Sequence, residues 1–445
     1  MNRCALIIGL MASSTAASLE GQGLRDRVAD LFIFGSGEAP LFLAGTADPT
    51  NPASVQAHGS HFVPAAVSGN ATLISFLTSA IGSSVANLPI SATSSGRTFR
   101  FEGGLPVATS TSSGPIFAER AQTLGRGRVL AGVTMNRLRF RSVRGVDLHD
   151  IALNFTHANS DFPGCDTIFG GDCAVMGRPS LENDFIQLGL SLDLDVTATV
   201  FVLSYGLLDW VDVGVALPIV STSLRGGSTA QVVPFGGTTA THFFAGTRTN
   251  PELTATRLVE GNATGLGDVA ARVKARISQS DRAAFGILAD ARFATGDDAN
   301  LLGLGSASVR GLGIVSARFG DFSPHANVGY IYRSGDGLND AMAATVGFDH
   351  ALSEWATLAV DVLAEMQVGT GKLTIPGDVR IDVPFRRVIS PTNIPDVRDD
   401  IVNGSLGFKF VTGPGLTVVA NSLFPLNKGG LRPGMAWSLG LEYNF

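Results

Sequence analysis

The charged residues of this chain fall into a spacing with chemical meaning. Arg272, Lys274 and Arg276 stand at every second position, and Asp290, Arg292 and Arg310 follow on later stretches. Asp193 with Asp195, Asp212, and Asp361 with Glu365 occupy comparable places. A repeat of two puts side chains on one face of a strand. Charge on one face, with apolar residues on the other, must be hydrated, paired or matched by another segment. That chemistry is electrostatic. Two readings stay open at this point. One is a polar constriction whose opposed basic and acidic arcs tune what passes. The other is a set of ion pairs that holds an internal segment or pairs across the wall.

Covalent and metal chemistry find little support. The 7 histidines are scattered and make no His-Glu-x-x-His pair. No serine, histidine and acid cluster as a hydrolase set, so no enzyme is expected. The glycines Gly265 and Gly267 do not open a helical pattern, so they are not a phosphate loop. Asp297, Asp298 and Asn300 lack the rest of a calcium loop. No metal and no cofactor are expected. Cys165 and Cys173, close together in a chain with an export signal, suit a disulfide that closes a short loop. A net charge of −6 leaves no footprint for nucleic acid.

The elements that position these charges are strands. Every even position from Ile186 to Val202 is apolar, while the odd positions include Gln187, Ser191, Asp193 and Asp195. With the two aspartates taken as lining a lumen, the even face points outward. Val211 to Ile219, Val269 to Ile277 and Phe285 to Phe293 alternate in the same manner, with their odd residues outward. Further alternation runs over 307–319, 324–333, 341–351, 355–368, 401–411, 416–424 and 434–445, with a less regular start at 129–141. That makes about twelve strands, an even number as bacterial barrels require. Short connections at 206–209, 279–282, 320–323, 352–354 and 412–415 alternate strictly with longer ones. The longer ones are 142–182, 226–264, 295–306, 334–340, 369–399 and 425–433. Short turns on one side and long loops on the other are the rule for outer-membrane barrels. Tyr205, Trp210 and Trp355 flank short turns, where one interfacial girdle belongs, and Trp437, Tyr332 and Phe424 suit the other.

The expected fold is therefore all-β, a transmembrane antiparallel up-and-down β-barrel over residues 129–445. Residues 1–18 read as a secretory signal: Arg3, an apolar run, then small residues. Residues 19–128 lack the regular alternation and are expected to form a plug-like or periplasmic segment. Within it, 24–32 and 71–80 have helical patterns and 98–102 suits a short strand.

The last stretch, Ser438 to Phe445, puts Leu439, Leu441, Tyr443 and Phe445 on one face. Its Gly440, Tyr443 and Phe445 resemble the C-terminal assembly signal of bacterial outer-membrane barrels. The resemblance implies the barrel assembly machinery and periplasmic chaperones as partners, and outer-membrane lipid and lipopolysaccharide as surroundings. Three further stretches resemble a family of outer-membrane transporters named for the meta-pathway of phenol degradation. They are Gly265 to Lys274 with Asp268, Phe293 to Gly305 with Gly296 and Asp297, and Gly114 to Gly125. Ala294 stands where that family usually has proline. This second resemblance implies a channel for small hydrophobic or aromatic solutes, passive or plug-gated. The alternative is a surface-interaction barrel acting through the loops 142–182 and 226–264. For Asp268 and Asp297 the residues themselves suggest loop fixing by arginine or backbone N–H, or a role toward a solute or cation.

Overall fold

The computed structural model describes residues 22–34, 39–43, 50, 62–86, 99–102, 105–108, 112–156, 184–234, 242–247, 249–381, 386–413 and 415–445. The leader 1–18 and the pair Cys165 and Cys173 lie outside them. Twelve antiparallel strands form a closed barrel. They are β1 (Val129–Val143), β2 (Phe185–Leu208), β3 (Val211–Val233), β4 (Ala270–Gln279), β5 (Ala283–Arg292), β6 (Ser308–Ala317), β7 (Phe322–Arg333), β8 (Ala341–Ala351), β9 (Ala356–Gln367), β10 (Ile401–Gly413), β11 (Leu416–Pro425) and β12 (Ala436–Asn444). Each pairs with its neighbours in chain order. β12 returns to β1, where Val129 and Phe445 exchange N–H to O bonds of 2.9 and 3.0 Å.

All short connections lie at one end of the barrel, the turn end. The other end, the loop end, is taller. There β2 and β3 run on past the ring, and a strand segment Thr254–Leu266 continues β4 upward against β3. Much of the expected loop 226–264 is therefore strand. Among the described residues two helices lie in the N-terminal region. Helix α1 (Leu24–Asp30) buries Leu24 and Val28, and Leu31 and Phe32 continue the same face. Helix α2 (Val63–Ala86) is longer than its sequence pattern suggests. Its buried residues, among them Ala66, Leu73, Phe76, Ala80 and Ile81, include alanines that an apolar count underrates. A short hairpin, Phe99–Glu102 with Leu105–Ala108, sits where a strand was expected.

The wall changes character along its axis. Near the turn end the outward residues of β2 and β3 are Leu203, Phe201, Val215, Leu217 and Ile219, all exposed. Beyond the row Met135, Thr199, Ile219, the next outward rows are Arg137, Thr197, Ser221 and then Arg139, Asp195, Ser223. Inside, the order is reversed. The lumen is polar near the turn end, while near the loop end Leu188, Leu190, Leu192 and Leu194 pack against Leu24, Val28, Leu31 and Phe32 in one apolar cluster.

This reversal corrects one expectation. The even face of β2 points inward over its whole described length, from Ile186 to Val202. Asp193 and Asp195 face out from the wall, not into the lumen. Asp195 pairs with Arg139 at 2.9 Å, and Asp193 lies 3.1 Å from His149 Nε2. That contact holds the His149 imidazole above its ordinary pKa. The physical reason is the length of β2. Half of it stands beyond the apolar belt, where water is outside and the packed core is inside.

The exit of the N-terminal region into β1 gives a test. Gly206 meets it edge on, bonding Arg128 O through its N–H and accepting from Gly127. A Cβ there would lie 1.8 Å from Gly125 O. Gly206→Ala is expected to lower stability by about 1–3 kcal/mol through overpacking, read by urea unfolding in detergent. An unchanged midpoint would contradict the close approach.

Candidate functional site: a filled lumen

Residues 112–125 cross the polar half of the lumen, and each step is fixed to the wall. Ser113 N–H donates to Thr357 Oγ1 at 2.9 Å. Asn327 brackets Glu119, accepting from its N–H at 2.8 Å and donating to its carbonyl at 3.0 Å. Ala121 N–H donates to Ser316 at 3.2 Å, and Leu124 N–H donates to the Asp212 carboxylate at 3.0 Å. Thr123 reaches the turn residue Asp209 at 2.7 Å. These partners come from β3, β6, β7, β9 and the β2–β3 turn, so the segment spans the ring.

Charge does the rest. Glu119 takes Arg272 at 3.0 Å and Lys274 at 3.9 Å. Lys274 is fully buried, lies 3.9 Å from Asp212, and donates to Arg120 O. Asp290 is surrounded by Arg310 at 3.3 Å, Arg272 at 3.6 Å and Arg292 at 3.7 Å. On the facing wall Arg120 and the Ser112 hydroxyl both bind Asp349. His325 lies between Asp349 at 3.5 Å and Asp361 at 2.7 Å. Lys409 pairs with Glu442 at 3.4 Å. The basic residues expected to form an arc are thus drawn onto Glu119, Asp290 and Asp212. Arg276 stands at the turn-end mouth on Gln279 and Asp209 O, and Glu365 is higher up, bound to Arg333 at 2.5 Å.

Glu119, Arg120, His325, Asp349, Lys409 and Glu442 were not among the expected lumen residues. A usable signal existed for the strand residues. Asp349, Lys409 and Glu442 all hold the polar parity of their strands. Nothing in the pattern of 112–125 marks it as internal, because it has no period.

The loop motif is a brace at the loop end. Asp268 accepts from Gly296 N–H at 3.0 Å and Leu304 N–H at 2.7 Å, tying the head of β4 to the β5–β6 loop. Burial pushes its carboxyl above the usual range, against the pull of those two N–H bonds. Gly296 is needed for contact, since a Cβ would lie 2.8 Å from Gly303 Cα. Asp297 caps a 3-10 turn, Asp298–Asn300, through Ala299 N–H. Asp298 then holds Arg25 of α1 at 2.6 Å. At β12, Tyr443 and Phe445 lie outside the barrel with rings 5.5 Å apart, and Gly440 faces in.

Between wall and internal segments a cavity of about 110 Å³ remains at mid-height, floored by Phe117 and Glu119 and reached by Ser84 of α2. A smaller one of about 40 Å³ lies above it beside Phe76 and Ala80. The two share Glu365, Ile401 and Leu431.

No family model and no curated protein matches this chain. Solved structures similar to it include an outer membrane channel from Pseudomonas putida F1, at 11% identity over 73% of this chain and 98% of that one, TM-score 0.39. A Pseudomonas aeruginosa FadL homologue shows 12% identity over 80% and 98%, TM-score 0.32. The Ralstonia pickettii toluene transporter shows 11% over 81% and 99%, TM-score 0.25. Likenesses this distant carry no argument about what this chain moves, and the barrel rests on the strand pairing above.

The ion pairs make a direct prediction. Asp349→Asn removes a charged partner of both the buried Arg120 guanidinium and His325, and is expected to cost about 3–5 kcal/mol. Arg276→Gln, at the open mouth, is expected to change stability by less than ~0.5 kcal/mol. Equal effects in urea unfolding would contradict the network.

Proposed function

We propose that this protein is a plug-gated channel of the bacterial outer membrane for small, hydrophobic solutes. In this reading residues 1–18 are the leader, 19–128 the plug and 129–445 the barrel. The turn end is periplasmic and the loop end external. The outward apolar run of β3, Val211 to Ile219, has the length a membrane strand needs, ~9–11 residues. On β12, Trp437 and Phe445 bound eight residue steps, roughly 26 Å of strand, which a tilt of about 40° turns into roughly 20 Å of height, most of a lipid-facing band of about 25 Å.

One observation carries the functional reading. The two cavities lie one above the other between the loop end and mid-barrel, share Glu365, Ile401 and Leu431, and the lower one ends on Phe117 and Glu119 of the segment 112–125. Their walls mix apolar side chains, such as Ile331, Leu363 and Leu423, with charged ones, such as Arg272 and Glu365. A solute entering from outside would reach Phe117 and Glu119 and go no further until that segment moved. The ion pairs of Glu119 and Arg120 are the latch. The motif resemblance to hydrophobic-solute transporters supports the same reading. Insertion through Tyr443 and Phe445 by the barrel assembly machinery, with periplasmic chaperones, belongs to this proposal.

A reversible lock tests it. The Cβ of Ala121 and an ideal Cβ at Gly286 lie 3.4 Å apart, near the span of a disulfide. The pair Ala121→Cys and Gly286→Cys is made with Cys165 and Cys173 replaced by serine. Uptake of toluene into liposomes is expected to stop on oxidation and return on reduction. Uptake that ignores the lock would remove the gate. No uptake in either state, with the barrel folded, would remove the channel.

A further inference from the structure

The mid-barrel cavity is not lined by apolar groups alone. Leu138, Leu312, Ile331, Leu363 and Leu423 form one part of its wall, and Arg272, Arg310 and Arg432 another. Among the described residues each of these arginines retains a guanidinium N–H with no hydrogen-bond partner. The atoms are Nε and Nη1 of Arg272, Nε of Arg310 and Nε of Arg432. Arg272 and Arg310 at least have Asp290 close by. Arg432 differs. It is 2% exposed, and its bonds go to neutral oxygens, Val402 O at 2.8 Å and Asn403 Oδ1 at 2.6 Å. Among the described residues no carboxylate lies within ion-pair distance of it. Glu119 and Glu365, the two acids lining the same cavity, are engaged by Arg272 and Lys274 and by Arg333.

An uncompensated buried cation is expensive, because desolvation is not repaid by a counter-charge. An unsatisfied buried donor adds to that cost. A folded chain that keeps both beside a cavity is arranged for an anion that arrives from outside. We infer that the cavity binds a small organic monocarboxylate, its carboxylate on Arg432 and its compact apolar body against Leu138, Ile331, Leu363 and Leu423. Several features select this class. No carboxylate touches the Arg432 guanidinium, and Glu365, whose charge reaches it from farther off, is held by Arg333, so one negative charge is called for. The planar guanidinium suits a carboxylate geometrically. The volume, about 110 Å³ and of the same order as the ~150 Å³ cavity that holds benzene, limits the body to one small ring or a short branched chain. Leu138, Ile331, Leu363 and Leu423 give that body an apolar wall, which a hydrated inorganic anion cannot use.

This inference rests on the channel reading and narrows it, since the solute would carry a charged head. The probes are benzoate, benzamide as its neutral isostere, and toluene as its uncharged body. Binding to the detergent-purified full chain is measured by titration calorimetry. Benzoate is expected to bind at least ~10-fold more tightly than benzamide, equivalent to ~1.4 kcal/mol. In Arg432→Gln the two are expected to fall within about threefold of one another. Arg432→Lys, which keeps the charge, is expected to restore most of the preference. Heat-resistant folding on gels checks that each variant forms its barrel.

Equal affinity of benzoate and benzamide for the unaltered protein would overturn the proposal, and that result needs no variant to fold. Benzoate preference that survives in Arg432→Gln would remove Arg432 as its cause. Failure here is separable from failure of the channel. Toluene uptake into liposomes without benzoate preference discards the substrate class alone. Benzoate preference with no uptake of either solute keeps the site and discards the channel.

Discussion

Charge buried inside a ring of strands must be neutralised where it stands, and the pairing of Glu119 and Arg120 with the wall is where this chain does so. Glu119 offsets Arg272 and Lys274, and Arg120 offsets Asp349. Remove the segment between Ser112 and Gly125 and, among the described residues, Lys274 keeps Asp212 and Asp349 keeps His325 as the one charged neighbour of each. Such residues would then need water. The wall and the segment therefore specify each other. The ring supplies charges that exclude an empty dry lumen, and the segment supplies the counter-charges that fill it. The same interlock gives a gate its energy scale. A latch of several buried ion pairs is strong when complete and weak once water reaches it, because hydration replaces each pair.

The second constraint is the reversal along the axis. Near the turn end the outside is apolar and the inside polar. Near the loop end the outside carries Arg137, Arg139 and Asp195, and the inside packs leucines of β2 onto α1. One continuous strand serves both environments. On β3 the outward residues change from Val215, Leu217 and Ile219 to Ser221 and Ser223, while the inward residues of β2 stay apolar from Leu188 to Val202. The helices sit in the apolar half and the charged segment 112–125 in the polar half, so each part of the N-terminal region matches the lumen it meets. The brace from Asp268 to the β5–β6 loop, and from Asp298 to Arg25, joins α1 to the rim.

Much of the fold was legible because a barrel strand records its environment at every residue. Strand number, order and the division into short turns and long loops follow from a period of two with turn residues between. The face assignment of β2 did not follow. Leu188 and Leu192 look the same on a lipid face and in a core, and only the neighbours on β1 and β3 separate the cases. The inward charges of β4 and β5 were readable by parity, since Arg272, Lys274 and Asp290 alternate with Val273, Ala275 and Ala289. Their partners were not. Glu119 and Arg120 lie in a stretch with no period, and their contacts are 150 or more residues distant, as with Arg120 O and Lys274. Arg432 was illegible for another reason. What sets it apart is that, among the described residues, no carboxylate is in contact with it, which no local sequence records.

The central claim is that the N-terminal region closes a real passage. Single-channel conductance in planar bilayers tests it most directly, comparing the mature full-length protein with a variant lacking residues 19–125. The full chain is expected to show long closed periods with rare openings, and the truncated one steady conductance once water hydrates Lys274, Asp290 and Asp349. Steady and equal conductance in both would contradict it, as would silence in a folded, truncated barrel.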